Sequence, residues 1–205
     1  MRKVVIVEGK QDAAFIKVLA PDLEVREIEL KELGGGGKDH KDTLRKVLKA
    51  LQNDSQFNPI DKIGILLDLD PSDFTVKSRL AFVNEGIETV FGVKLESVNT
   101  FQQATNLQLA CHFIQPNLDV LLRKIAAKPS PRANCLHSCL ESQENAKQKE
   151  REKAWPLYYM RWDICGTAER KNGAKYVNFS HTNTKGAWNL ASPVLGELKA
   201  FLSLF

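Results

Sequence analysis

Apolar runs without polar interruption alternate with helix-spaced apolar stripes along the first two thirds of the chain. Lys3 to Val7 is β-branched and lacks polar alternation, the pattern of a strand buried on both faces. Gln11 to Ala20 follows with helical spacing until Pro21 stops it. Val25, Ile28 and Leu30 mark a second strand over Val25 to Leu30, and Gly34 to Gly37 form a flexible loop. Leu44, Val47, Leu48 and Leu51 stripe a helix over Asp39 to Gln52. Lys62 to Leu67 is a third buried strand that Pro71 bars from continuing. A helix over Val76 to Asn84 is closed by Gly86, a fourth strand spans Leu107 to Ile114, and Leu118 to Ala127 is a helix. Strands in alternation with helices predict an α/β fold, Rossmann-like, with a mostly parallel central sheet flanked by helices.

The character changes at Pro129-Ser130-Pro131. A helix from about Ala133 runs into Gln143 to Lys153, where both charge signs crowd a solvated face. Trp155 to Trp162 is aromatic, Gly166 to Gly173 reads as a polar loop, and Val194 to Phe205 as a closing amphipathic helix. The expected organisation is a core over residues 1–127 and a helical, aromatic extension over 128–205 packed on it. No internal repeat is visible.

Composition narrows the class. With 205 residues, 43% hydrophobic and 26% charged, the chain can bury a sizeable core, and disorder is not expected. Its net charge of +4 tolerates a polyanionic partner without requiring one. No run of about 18 apolar residues occurs, and only four apolar residues separate the basic start from Glu8, too few for a signal peptide. A cytoplasmic location is therefore expected, with the four cysteines as reduced thiols.

The chemistry concentrates where the first and third strands end. Glu8 follows Val4-Val5-Ile6-Val7, and Asp68 and Asp70 follow Ile63-Gly64-Ile65-Leu66-Leu67. In a 2-1-3 strand order these ends are neighbours at the crevice where ligands bind. Clustered carboxylates repel each other unless protons or a cation neutralise them, and their hard oxygens suit Mg²⁺. Asp12 is either a further ligand or a favourable first-turn charge, and Asp73 is more simply a helix cap.

Val5-Ile6-Val7-Glu8-Gly9-Lys10-Gln11-Asp12, followed by Ile65-Leu66-Leu67-Asp68-Leu69-Asp70, resembles a Toprim domain over about residues 1–127. That metal-binding fold is shared by topoisomerases, bacterial-type primases, recombination mediators and the overcoming-lysogenization-defect (OLD) nucleases. The compact arrangement is similar to the OLD-type group. The resemblance implies Glu8 as metal ligand or general acid/base, with Asp68 and Asp70 holding Mg²⁺, or Mn²⁺ in its place, for phosphodiester cleavage of DNA or RNA. Asp119, in Gln115-Pro116-Asn117-Leu118-Asp119, falls where those proteins usually carry Glu, and is the candidate ligand of a second metal or a first-turn acid. OLD-type nucleases often carry an ATPase, so a separate ATPase partner is implied. The alternative is a catalytically weak, Toprim-like binding or regulatory module acting within a complex.

Rival motifs fit less well. Gly34-Gly35-Gly36-Gly37-Lys38-Asp39 lacks both the earlier glycine and the following Ser or Thr of a phosphate loop. Asp68-Leu69-Asp70 matches the nucleophile motif of haloacid-dehalogenase phosphatases, but no later paired acids accompany it. Cys135-Leu136-His137-Ser138-Cys139 lacks a second ligand pair for zinc, and Cys135 and Cys139 share a stripe with Leu136 and Leu140 that predicts burial. Lys153 and Lys185 read as surface cations, and Trp155, Tyr158, Tyr159 and Trp162 as core packing rather than base stacking.

Overall fold

The structure, a computed structural model, describes residues 2–34, 40–69, 75–143 and 147–205. The chain divides into two compact units, Met1–Pro116 with Gly196–Phe205, and Asn117–Leu195. The helix after residue 117 thus groups with the second unit, and the closing helix with the first.

The first unit is α/β. Strands β1 (Arg2–Val7), β2 (Ile28–Glu32), β3 (Ile60–Asp68), β4 (Gln102–Ala104) and β5 (Leu107–Ile114) form one sheet in the order β2-β1-β3-β5-β4. All pairings are parallel except β4 with β5. Helices α1 (Lys10–Leu19), α2 (His40–Asp54) and α3 (Val76–Phe91) make the crossovers. Side chains alternate across the pleat. Val4, Ile6, Ile63, Ile65 and Cys111 join Leu44 and Leu48 of α2 and Val83 and Ile87 of α3 in one core.

The opposite face receives the chain's end, α10 (Gly196–Ser203). Phe201 stacks on His112 with ring centroids 5.6 Å apart, and Phe205 meets Phe201 edge to face at 5.4 Å. His112 and Cys111 point to opposite faces yet are both buried, because both faces are covered. Lys62 Nζ donates to the Leu204 carbonyl at 2.7 Å, tying the terminus to β3.

Several elements depart from the sequence expectation. Strand β2 starts at Ile28 rather than Val25, which is exposed. Gly86 does not end α3 but sits inside it on the side facing α2, where a Cβ would meet Leu48 Cδ1 at an ordinary contact distance of 3.6 Å. The helix stops instead at Gly92, whose φ of +70° is the left-handed conformation that favours glycine. Strand β4 escaped notice because three residues are too few to show a period.

The second unit is helical: α4 (Leu118–Lys124), α5 (Pro131–Glu141), α6 (Gln148–Tyr158), α7 (Thr167–Lys171), α8 (Gly173–Tyr176) and α9 (Phe179–Thr184). The single helix expected from Ala133 to Lys153 is two, α5 and α6. The expected loop at Gly166 to Gly173 contains α7, which starts where Glu169 Oε2 accepts from the Gly166 N–H at 2.7 Å. Cys135 and Cys139 are exposed, contrary to the burial expected, because α5 turns Ala133 and His137 inward instead. The aromatic run divides: Trp155 and Tyr159 are buried and stack at 5.0 Å, whereas Tyr158 and Trp162 stand exposed.

Candidate functional site

Strand register brings the first two acids together. Val7 pairs with Leu66 in the parallel β1–β3 ladder, so both strands deliver their last residues to the same sheet edge. Strand β1 connects to β2 on one side and the chain then crosses to β3 on the other, which makes this edge the topological switch point. There the Asp68 N–H faces Glu8 Oε2 at 3.4 Å. Arg79 of α3 adds a cation, its Nη2 3.9 Å from Glu8 Oε2, with the Arg79 side chain only 6% exposed and that of Glu8 23%. The same guanidinium lies 4.8 Å from the Phe82 ring centre.

Asp12 occupies the first turn of α1, where its Oδ2 accepts from the Gly9 N–H at 3.0 Å and closes the helix start. Asp70, Asp73 and the loop from Gly35 to Asp39 lie outside the described residues. Asp119 belongs to the second unit, in the first turn of α4 behind the Asn117 cap, whose Oδ1 accepts from the Val120 N–H at 3.0 Å.

Asp119 also lines a cavity of about 380 Å³ with Arg123, His137, Arg151, Glu152 and Trp155. Arg123 Nη1 lies 2.8 Å from His137 Nε2, and since guanidinium only donates, that nitrogen accepts and the ring proton faces Glu141 from Nδ1, 3.3 Å from its Oε1. Asn117 Nδ2 and Gln148 Nε2 donate to the two oxygens of Glu152 at 2.7 and 2.8 Å.

A further group gathers Cys165, Glu169 and His181, whose ligand atoms lie within 4.8 Å of one another. Glu169 is already engaged by Lys185, by the Gly166 amide at 2.7 Å and by His181 Nε2 at 2.8 Å. The Lys185 ammonium first, then the Gly166 and His181 bonds, hold the Glu169 carboxyl down at about 2. Burial pushes the Cys165 thiol up, so it is a poor thiolate. The arrangement acts as an ion-pair clasp joining α7 to α9, and it gives Lys185 an internal partner in place of the solvated role expected.

Sequence reasoning found Glu8 and Asp68 from strand ends, but not Arg79, because a buried arginine in a helix leaves no mark on the hydrophobic pattern. The Glu169–Lys185 pair was equally hidden, since 16 residues separate its members. Only the capping spacing from Gly166 to Glu169 carried a local signal.

The carboxylate oxygens of Glu8 and Asp68 are a hard donor set, and Glu8 is partly open to solvent, which fits Mg²⁺. No described helix is long and apolar enough to cross a membrane. Fold and site together define a doubly wound α/β protein with acidic strand ends at the switch point of its sheet. The chain belongs to the family described as protein of unknown function, DUF3226, which matches residues 2–205. No curated protein and no solved structure is found to match it.

Proposed function

We propose that this protein is a Toprim-type enzyme of the OLD-like kind that cleaves phosphodiester bonds in nucleic acid with Mg²⁺. The observation that carries the reading is the meeting of Glu8 and Asp68 at adjacent strand ends on the switch point. Glu8 and Asp68, with Asp70 and Asp12 beside them in sequence, would hold the ion, while the resemblance makes Asp119 the candidate ligand of a second metal. When bound, Mg²⁺ polarises a phosphoryl oxygen and eases ionisation of an attacking water. Glu8 offers a carboxylate for ligation or proton transfer, and Arg79 limits its repulsion from Asp68 before a substrate arrives. Mn²⁺ shares this donor preference, and a separate ATPase is the partner the resemblance implies.

The test is cleavage of plasmid DNA and structured RNA in Mg²⁺ or Mn²⁺ by the wild type, Glu8→Gln and Asp68→Asn. Both variants are expected to lose at least about 100-fold in rate, the scale of removing a general acid/base or ligand. Equal activity in all three sinks the catalytic assignment. The Arg79–Glu8 pair supports a second reading, a Toprim-like binding or regulatory module whose acid is already compensated. Metal binding without cleavage of either substrate would favour it.

A further inference from the structure

Charge is divided unevenly between the two units. Residues 117–195 carry 13 Lys and Arg against seven Asp and Glu, a net of +6, while the remainder carries 16 against 18, a net of −2. The candidate acids at the strand ends thus sit in an anionic unit, and the chain's whole basic excess lies in the other. Phosphate contacts by such cations supply most sequence-independent nucleic-acid affinity.

The basic unit also exposes rings. Of six large hydrophobic side chains exposed among the described residues, three fall within one short stretch: Leu157 (47%), Tyr158 (39%) and Trp162 (37%). Here α6 passes into a π-helical segment, Tyr159–Ile164, a widened turn frequent at functional sites. The Trp162 backbone is clamped, since Arg132 donates to its carbonyl and Asp163 accepts the N–H groups of Arg132 and Ala133 at 3.1 and 3.0 Å.

Two arginines flank the Trp162 ring, with guanidinium carbons 5.0 Å (Arg170) and 5.9 Å (Arg161) from its centre. Arg170 is itself fixed by the Cys165 carbonyl at 2.8 Å and Thr167 Oγ1 at 2.9 Å. The Tyr158 and Trp162 ring centres stand 6.5 Å apart at a tilt of 37°. That gap is about twice the ~3.4 Å spacing of stacked bases.

We infer that the face built by Tyr158, Trp162, Arg161 and Arg170 docks single-stranded nucleic acid, an unpaired base stacking on the exposed rings while the arginines meet the backbone. The inference rests on the nucleic-acid reading above and narrows it to substrates with unpaired bases. A duplex hides its base faces and gives the rings nothing to stack on. An apolar protein partner would have no use for the flanking arginines and the +6 charge.

The test is binding in EDTA, where metal-dependent cleavage is off, of a fluorescein-labelled oligothymidylate of about 20 nucleotides and of a duplex of equal length, longer than one site. The single strand is expected to bind about tenfold more tightly than the duplex and to quench tryptophan fluorescence, because Trp155 and Trp188 are buried and Trp162 is not. Trp162→Ala should weaken single-strand binding about tenfold with an unchanged salt slope, and Trp162→Phe should restore most of it. Arg161→Ala should flatten the slope by about one. Equal affinity for strand and duplex, or a Trp162→Ala protein that binds like the wild type, overturns the inference. So does a wild-type dimer that Trp162→Ala dissociates in the absence of oligonucleotide affinity, which would make the face a self-association surface. Trp162-dependent binding without cleavage in any metal retires the nuclease reading alone, whereas cleavage with binding indifferent to Trp162 retires only this inference.

Discussion

Arg79 Nη2 lies 3.9 Å from Glu8 Oε2 at the sheet edge where Asp68 also ends its strand. A cation almost fully buried thus faces the first candidate acid from α3, and an added divalent ion would compete with it for the same oxygen.

Removing this arginine should expose the competition. Arg79→Met is expected to lower stability by about 3 kcal/mol, because a partly buried carboxylate loses its compensating charge. Mg²⁺ at millimolar concentration should return part of that loss, and should raise the melting temperature of the variant more than that of the wild type. Glu8→Gln should abolish the Mg²⁺ response. Thermal melts with and without the ion measure all three, and identical responses would remove Mg²⁺ from this edge.

Gly64 has no room for a side chain. A Cβ there would stand 2.6 Å from Phe205 Cζ and 3.0 Å from Phe201 Cζ. Gly64→Ala is expected to cost about 2 kcal/mol in urea unfolding, and Phe205→Ala should relieve part of it in the double variant, since residues in contact couple. Strict additivity would show that the terminus does not pack on β3.

His112 should make stability depend on acid. Burial pulls its pKa down from 6.5 to about 4, while Nδ1 lies 2.9 Å from Asn99 Oδ1 and Phe201 stacks on the ring. Between those two values the unfolded chain binds more protons than the folded one, so stability is full above pH 6.5 and falls as pH drops toward 4. The shift corresponds to on the order of 3 kcal/mol. His112→Gln should flatten the melting temperature between pH 7 and pH 4.5 relative to wild type, as read by circular dichroism (about the range the shift spans).

Glu169 should behave as a clasp rather than a metal ligand. Glu169→Gln is expected to speed hydrogen exchange at the Gly166 amide and around His181, both of which it bonds. Chelator should leave the wild-type exchange rates unchanged. Slowed exchange on adding Zn²⁺ to the wild type would instead make Cys165, Glu169 and His181 a metal site.

Local pattern alone determined the α/β alternation, because strands buried on both faces must read as continuous apolar runs and their covering helices must show a stripe. It also determined that Glu8 and Asp68 end strands, since a charged carboxylate is costly to carry into a dry apolar run. It misplaced the end of α3, which falls at the left-handed Gly92 rather than at Gly86, and it misjudged Cys135 and Cys139, because a helix with little amphipathic contrast does not announce which side it buries. Tertiary structure alone decided that Arg79 faces Glu8, that Glu169 holds Lys185 and His181, and that Phe201 and Phe205 return to cover β3. Each of these joins residues far apart in sequence, and the energy that selects it comes from burial and charge pairing across elements, which no window of the chain contains.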